Sequence, residues 1–211
     1  MKIKICGLFR SQDIDYVNRA SPDYVGFVFA PGRRQVSQVL AETLRSQLSN
    51  DIIPVGVFVN APAAEIAALY SSGIISMAQL HGTEDGDYIT KLKQICDVPV
   101  IKTILCDSVP RTAEQWSDGS MRDKPETNLI DYILLDSGAG SGKSFNWGLL
   151  ETKKIPKPWF LAGGITLENI KEAITLNPYA IDVSSGAETD GIKDLEKIMR
   201  LTHEVKSRFS P

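Results

Sequence analysis

Cysteine is scarce in this chain of 211 residues: there are three, Cys6, Cys96 and Cys106. An odd, irregularly spaced set fits neither a disulfide-stapled domain nor the close Cys/His clusters of a zinc site. Long apolar runs are lacking too. No stretch approaches the roughly 20 apolar residues of a membrane span, and the apolar part of "MKIKICGLFR" is too short for a secretory leader. Nor is there an excess of positive charge. The formal net charge is −3 and the charges are mixed along the chain, which argues against a nucleic-acid surface. These absences point to a soluble cytoplasmic protein that binds neither nucleic acid nor membrane. At this length one domain, residues 1–211, with one large core is expected.

What is present is an alternation of two periods. Short runs rich in Val, Ile and Phe read as buried strands: "IKIC", "YVGFVF", "IPVGVFV", "ISMAQL", "VPVIKTIL", "YILLD", "PWFLAG" and "AIDVSS". Between them lie segments with helical spacing: 11–20, 37–48, 63–72, 84–95, 166–176 and 190–207. Ser37 and Thr166 stand as N-caps, with Asn169 in place of Glu at the capping-box position after Thr166. Residues 107–128 are polar and turn-rich and hold at most a distorted helix; 147–154 hold only a short one. Eight β–α units imply a parallel sheet closed into a (β/α)₈ TIM barrel.

"LLDSGAGSGKS" has the look of a phosphate-binding P-loop, but the position of its first glycine is held by Ser137, and no long helix follows before the prolines. An ordinary loop is the better reading. A barrel carries its active site at the C-terminal ends of its strands. That rule selects Cys6, the "APGRRQVS" loop, "QLHG", Asp136, "LAGG" and "DVSSG". The last two loops are those in which barrels often bind phosphate. Gly163 and Gly164, with Ser184, Ser185 and Gly186, let backbone N–H groups approach anionic oxygens. A phosphorylated small molecule is the expected ligand.

Taken together, "KICGL", "GFVFAP", "VGVFVN", "QLHG", "LLDS…GSGKSFNW", "LAGGIT" and "DVSSGAETDGIKD" resemble the phosphoribosylanthranilate isomerase family nearly end to end. The resemblance implies a (β/α)₈ barrel that performs an Amadori rearrangement in tryptophan biosynthesis, with no cofactor and no metal, as a monomer or homodimer. It implies Cys6 as general base and Asp136 as general acid. It implies that Arg34, with Arg33 as a substitute because the loop is one residue short, holds the anthranilate carboxylate. Asp182 would meet the anthranilate amino group, and Gln79 and His81 would line the pocket. The chain departs from the family pattern in a compact loop after Asp136 and in Asn146, where Asp is more usual before Trp147. As a base, Cys6 must be a thiolate, which calls for a lowered pKa, and Lys4 lies two residues earlier on the same strand face. As an acid, Asp136 must hold a proton well above its ordinary pKa, which burial favours. Cys96 and Cys106 read as structural.

Overall fold

Each apolar run that reads as a strand becomes one. The computed structural model describes residues 1–105, 128–136 and 155–207. In chain order the strands are β1 (Lys2–Cys6), β2 (Tyr24–Val28), β3 (Ile53–Phe58), β4 (Met77–Leu80), β5 (Val100–Leu105), β6 (Tyr132–Asp136), β7 (Trp159–Ala162) and β8 (Ala180–Val183). They close into one parallel barrel in that order, with β8 returning to β1 in the register Lys4↔Asp182.

Helices α1 (Ser11–Ala20), α2 (Gln38–Gln47), α3 (Ala63–Ser71), α4 (Gly86–Ile95), α5 (Ile170–Thr175) and α6 (Leu195–Ser207) follow β1, β2, β3, β4, β7 and β8. Most of the stretch 107–128 and all of 137–154, with Cys106 and the "GSGKS" loop, lie outside the described residues.

Period-two alternation sorts the strand residues into two cores. Outward side chains such as Ile3, Ile5, Val25, Phe27, Leu80, Ile133, Leu135, Leu161, Ile181 and Val183 pack into the layer beneath the helices. Inward side chains Tyr24, Val55, Met77, Ile101, Leu134, Phe160 and Ala180 plug the floor of the barrel. The sequence "YVGFV" carries its glycine inward for a steric reason. A Cβ on Gly26 would sit 2.5 Å from Cys6 Sγ, so the thiol occupies the space that a β2 side chain would fill.

Two helix starts differ from the sequence expectation by four residues or more. Ser37 caps α2 as expected, accepting from the Leu40 amide. At the other cap, Thr166 and Asn169 form a reciprocal box: Asn169 Oδ1 accepts from the Thr166 amide at 2.8 Å and Thr166 Oγ1 from the Glu168 amide at 3.3 Å. Regular helix nevertheless starts only at Ile170.

The last helix was expected from Asp190 but begins at Leu195. Residues before it form a two-strand hairpin, β9 (Glu188–Thr189) and β10 (Ile192–Lys193), turning at Asp190–Gly191, both with positive φ. Two successive left-handed residues make the tight hairpin turn for which Asp-Gly is the preferred pair. Asp194 then takes over as cap, accepting from the Lys197 amide.

Candidate active site

The inward residues become polar toward the strands' C-terminal ends. On β4 the series runs Met77, Gln79, and then His81 just beyond; on β8 it runs Ala180, Asp182, Ser184; on β6 it ends in Asp136. These ends enclose a cavity of about 250 Å³, lined among others by Cys6, Arg34, Gln79, His81, Asp136, Gly163, Gly164, Asp182, Ser184 and Ser185. Ten of the eleven residues named as site candidates therefore share one cavity. Gly186 sits behind it. A Cβ on Gly186 would fall 1.9 Å from the Ile165 carbonyl oxygen, so its lack of a side chain lets the β7 and β8 loops pack backbone to backbone.

Cys6 is buried, and burial pushes its thiol above the ordinary range. Lys4 opposes that rise, Asp182 adds to it, and Lys193 opposes it again. The expected lowering by Lys4 is present but is outweighed by the loss of water around the sulfur. Lys4 itself is fully buried in the barrel lumen, with Nζ 2.9 Å from Asp182 Oδ2 and 2.8 Å from Gln79 Oε1. Burial alone would lower its pKa, but Asp182 and then Cys6 raise it on balance. Asp182 Oδ1 is buried and has no hydrogen-bond partner among the described residues. Such an oxygen has an unmet need for an N–H or O–H donor.

His81 joins this network. Its Nδ1 lies 3.0 Å from Gln79 Nε2 and 3.1 Å from Thr103 Oγ1, and its Nε2 lies 3.5 Å from Asp136 Oδ2. Burial pushes the imidazole below its ordinary pKa, opposed by Asp136.

Arg34 is turned toward Glu188, with Nε 2.6 Å from Oε1 and Nη2 2.8 Å from Oε2. Two donors in the plane of one guanidinium edge are thereby used, and the opposite edge, which includes Nη1, is left for another anion. Arg33 also reaches Glu188, at 2.8 Å, but is more than half exposed and lies off the cavity lining. Glu188 takes a third cation, Lys193, at 2.7 Å, and Lys193 Nζ also donates to the Ser184 carbonyl at 3.0 Å. Glu188 and Lys193 escaped the sequence reading. The signal that could have found them is the Asp190–Gly191 turn, which sets Glu188 opposite Lys193 in the hairpin.

The family model described as N-(5'phosphoribosyl)anthranilate (PRA) isomerase matches residues 3–204. The chain belongs to this family. The N-(5'-phosphoribosyl)anthranilate isomerase of Endomicrobium trichonymphae is 43% identical over 207 residues, covering 98% of both chains. The crystal structure of phosphoribosyl anthranilate isomerase from Thermus thermophilus superposes with a TM-score of 0.79 at 31% identity, over 99% of this chain and 100% of that one. A phosphoribosyl anthranilate isomerase solved with reduced 1-(o-carboxyphenylamino)-1-deoxyribulose 5-phosphate superposes with a TM-score of 0.77 at 28% identity, covering 98% of this chain and 99% of that one. The family is one of enzymes, so the cavity at the strand ends is the candidate active site. Among the described residues, no helix is long and apolar enough to cross a membrane.

Proposed function

We propose that this chain, acting as a single cytoplasmic domain, converts N-(5-phosphoribosyl)anthranilate to 1-(2-carboxyphenylamino)-1-deoxyribulose 5-phosphate in tryptophan biosynthesis, without a cofactor. The observation that carries the reading is that a thiol on β1 and a carboxyl on β6 line the same cavity as the two glycine- and serine-rich loops after β7 and β8. The reaction needs one acid and one base in that arrangement. Asp136 gives its proton to the ribose ring oxygen as the C1′–O bond breaks and the amine lone pair forms the iminium ion. Cys6, as thiolate, takes the proton from C2′, and the electron pair left behind closes the enolamine. Loss of the enol proton and protonation of C1′ then yield the ketone.

The remaining residues divide the substrate between them. Gly163 (φ 95°) and Gly164 (φ 65°) occupy left-handed backbone that turns the β7 loop, and with Ser184 and Ser185 they form the phosphate end. Arg34 meets the anthranilate carboxylate with the guanidinium edge that Glu188 leaves open. Asp182 Oδ1 accepts from the anthranilate N–H, which would satisfy its unmet bond. Lys4 supports the Cys6 thiolate at the moment the thiol ionises. The test is the loss of phosphoribosylanthranilate fluorescence on adding purified protein, with equimolar appearance of the deoxyribulose product. A folded protein that leaves the fluorescence decay at its uncatalysed rate would end this reading.

A further inference from the structure

We infer that His81 is a positioning residue for Asp136, and that Lys4 and Gln79 set the tautomer in which it does so; the role rests on the isomerase reading, in which Asp136 is the acid. Lys4 Nζ lies 2.8 Å from Gln79 Oε1. An ammonium can only donate, so the oxygen of the Gln79 amide must face it. The amide nitrogen is thereby turned to His81 Nδ1, 3.0 Å away. That nitrogen also only donates, so Nδ1 must accept and carries no proton. Thr103 Oγ1, 3.1 Å from Nδ1, is a hydroxyl that donates or accepts and so follows the tautomer that Gln79 sets. The proton of the neutral ring is left on Nε2, which points at Asp136 Oδ2 across 3.5 Å. A cation on β1 thus dictates an N–H on β4's end that faces a carboxyl on β6.

The geometry suits an acid that must let its proton go. At 3.5 Å the contact is long for a hydrogen bond. After the proton moves to the ring oxygen, the new carboxylate accepts the Nε2–H, and a bond to a charged acceptor is the stronger kind. The interaction therefore grows as the reaction proceeds, which is the form that raises kcat. An imidazolium would favour the ionised carboxyl further and shrink the fraction of Asp136 that carries the acid's proton. Burial keeps the ring neutral; Asp136 on β6 opposes it, Lys4 on β1 assists, Asp182 on β8 opposes and Lys102 on β5 assists.

The experiment is ¹⁵N NMR of histidine-labelled protein, read without substrate. The chain has two histidines, and the exposed His203 serves as the internal reference. At pH 7 His81 should show a protonated Nε2 and a bare Nδ1; a proton on Nδ1 in the wild-type protein overturns the inference. In Gln79→Glu a carboxylate replaces the amide donor, and Nδ1 should gain a proton; if it stays bare, Gln79 does not set the tautomer. His81→Leu should lower kcat at least about tenfold with KM within about threefold, the scale of losing one bond to a charged group. His81→Gln, which returns an N–H near the Nε2 position, should recover most of that loss. Equal kcat in the two variants would make His81 a packing residue and overturn the role. Failure of the isomerase reading looks different: the wild-type protein turns over no phosphoribosylanthranilate, which removes the role while the NMR still decides the tautomer.

Discussion

Cys6 is under two opposing demands. The proposed chemistry asks for a thiolate, whereas burial pushes the thiol up, with Lys4 only partly offsetting it. A carboxyl ordinarily titrates well below a thiol. The reactive pairing of thiolate with carboxylic acid is then a minor form whose fraction is flat between the two pKa values and falls outside them. The alkaline limb of kcat/KM accordingly reports the thiol, and it should lie above pH ~8.5, the ordinary thiol value. An alkaline limb near neutrality would show that the thiol is not raised. Cys6→Ala should lower kcat/KM by roughly 10²–10⁴-fold and abolish that limb, and Asp136→Asn should lower kcat by a similar factor. Circular dichroism should be unchanged in both, because these side chains lie at the functional ends of their strands. A folded Cys6→Ala protein with near-wild-type kcat/KM would remove Cys6 as the base. Both residues were visible in the sequence as chemistry-bearing groups at strand ends. The direction of the thiol's shift was not, because it depends on how closely the closed barrel excludes water from Sγ.

The hairpin after β8 shows what local pattern can and cannot give. Its turn residues, Asp190 and Gly191, are a recognised hairpin signal, yet the helical spacing that follows drew the expected helix start five residues too early. The strands and the Ser37 cap were legible because period and cap chemistry are local. Lys4, Gln79 and Asp182 were not legible as a network, since Gln79 and Asp182 lie 75 and 178 residues from Lys4 along the chain and meet it only on closure. The Glu188 cluster is of the same kind. Burial acts to raise the Glu188 pKa, but Arg34 and Lys193 outweigh it and hold the carboxyl at about 2. A depressed folded pKa gives stability that is present above the unfolded value, about 4.3, and is lost as pH falls through about 2. The stability gap between wild type and Glu188→Gln should therefore be widest at pH 5–8 and should shrink below pH ~4, as read from urea midpoints. At pH 7 Glu188→Gln should raise KM about tenfold, because Arg34 loses the partner that aims it. A KM unchanged in a folded variant would detach Glu188 from substrate binding.

Across the whole molecule, the barrel separates an apolar floor from a polar mouth along the same eight strands. At the floor, Phe160 is fully buried, with ring centroids 5.5 Å from Tyr24, 5.7 Å from Tyr132 and 5.7 Å from Tyr179. Tyr24 and Tyr179 close the same end by sharing a hydrogen bond of 2.9 Å between their hydroxyls. Of the cluster these rings belong to, only Ala162 also lines the candidate cavity among the described residues, so removal of a ring should act chiefly on stability. Phe160→Ala deletes a large buried side chain with neighbours held by their own strands, so the cavity can collapse only in part. The expected cost is about 3–5 kcal/mol, or roughly 6–20 °C in Tm for a chain of this size. kcat and KM measured well below the variant's Tm should stay within about threefold of wild type, since distant, independent sites act separately. Cys6→Ala should show the reverse pattern, a large loss of kcat/KM with little change in the urea midpoint. If Phe160→Ala instead lost kcat in proportion to its stability, the floor would be part of the catalytic unit, and the separation of a stabilising end from a reacting end would not hold for this barrel.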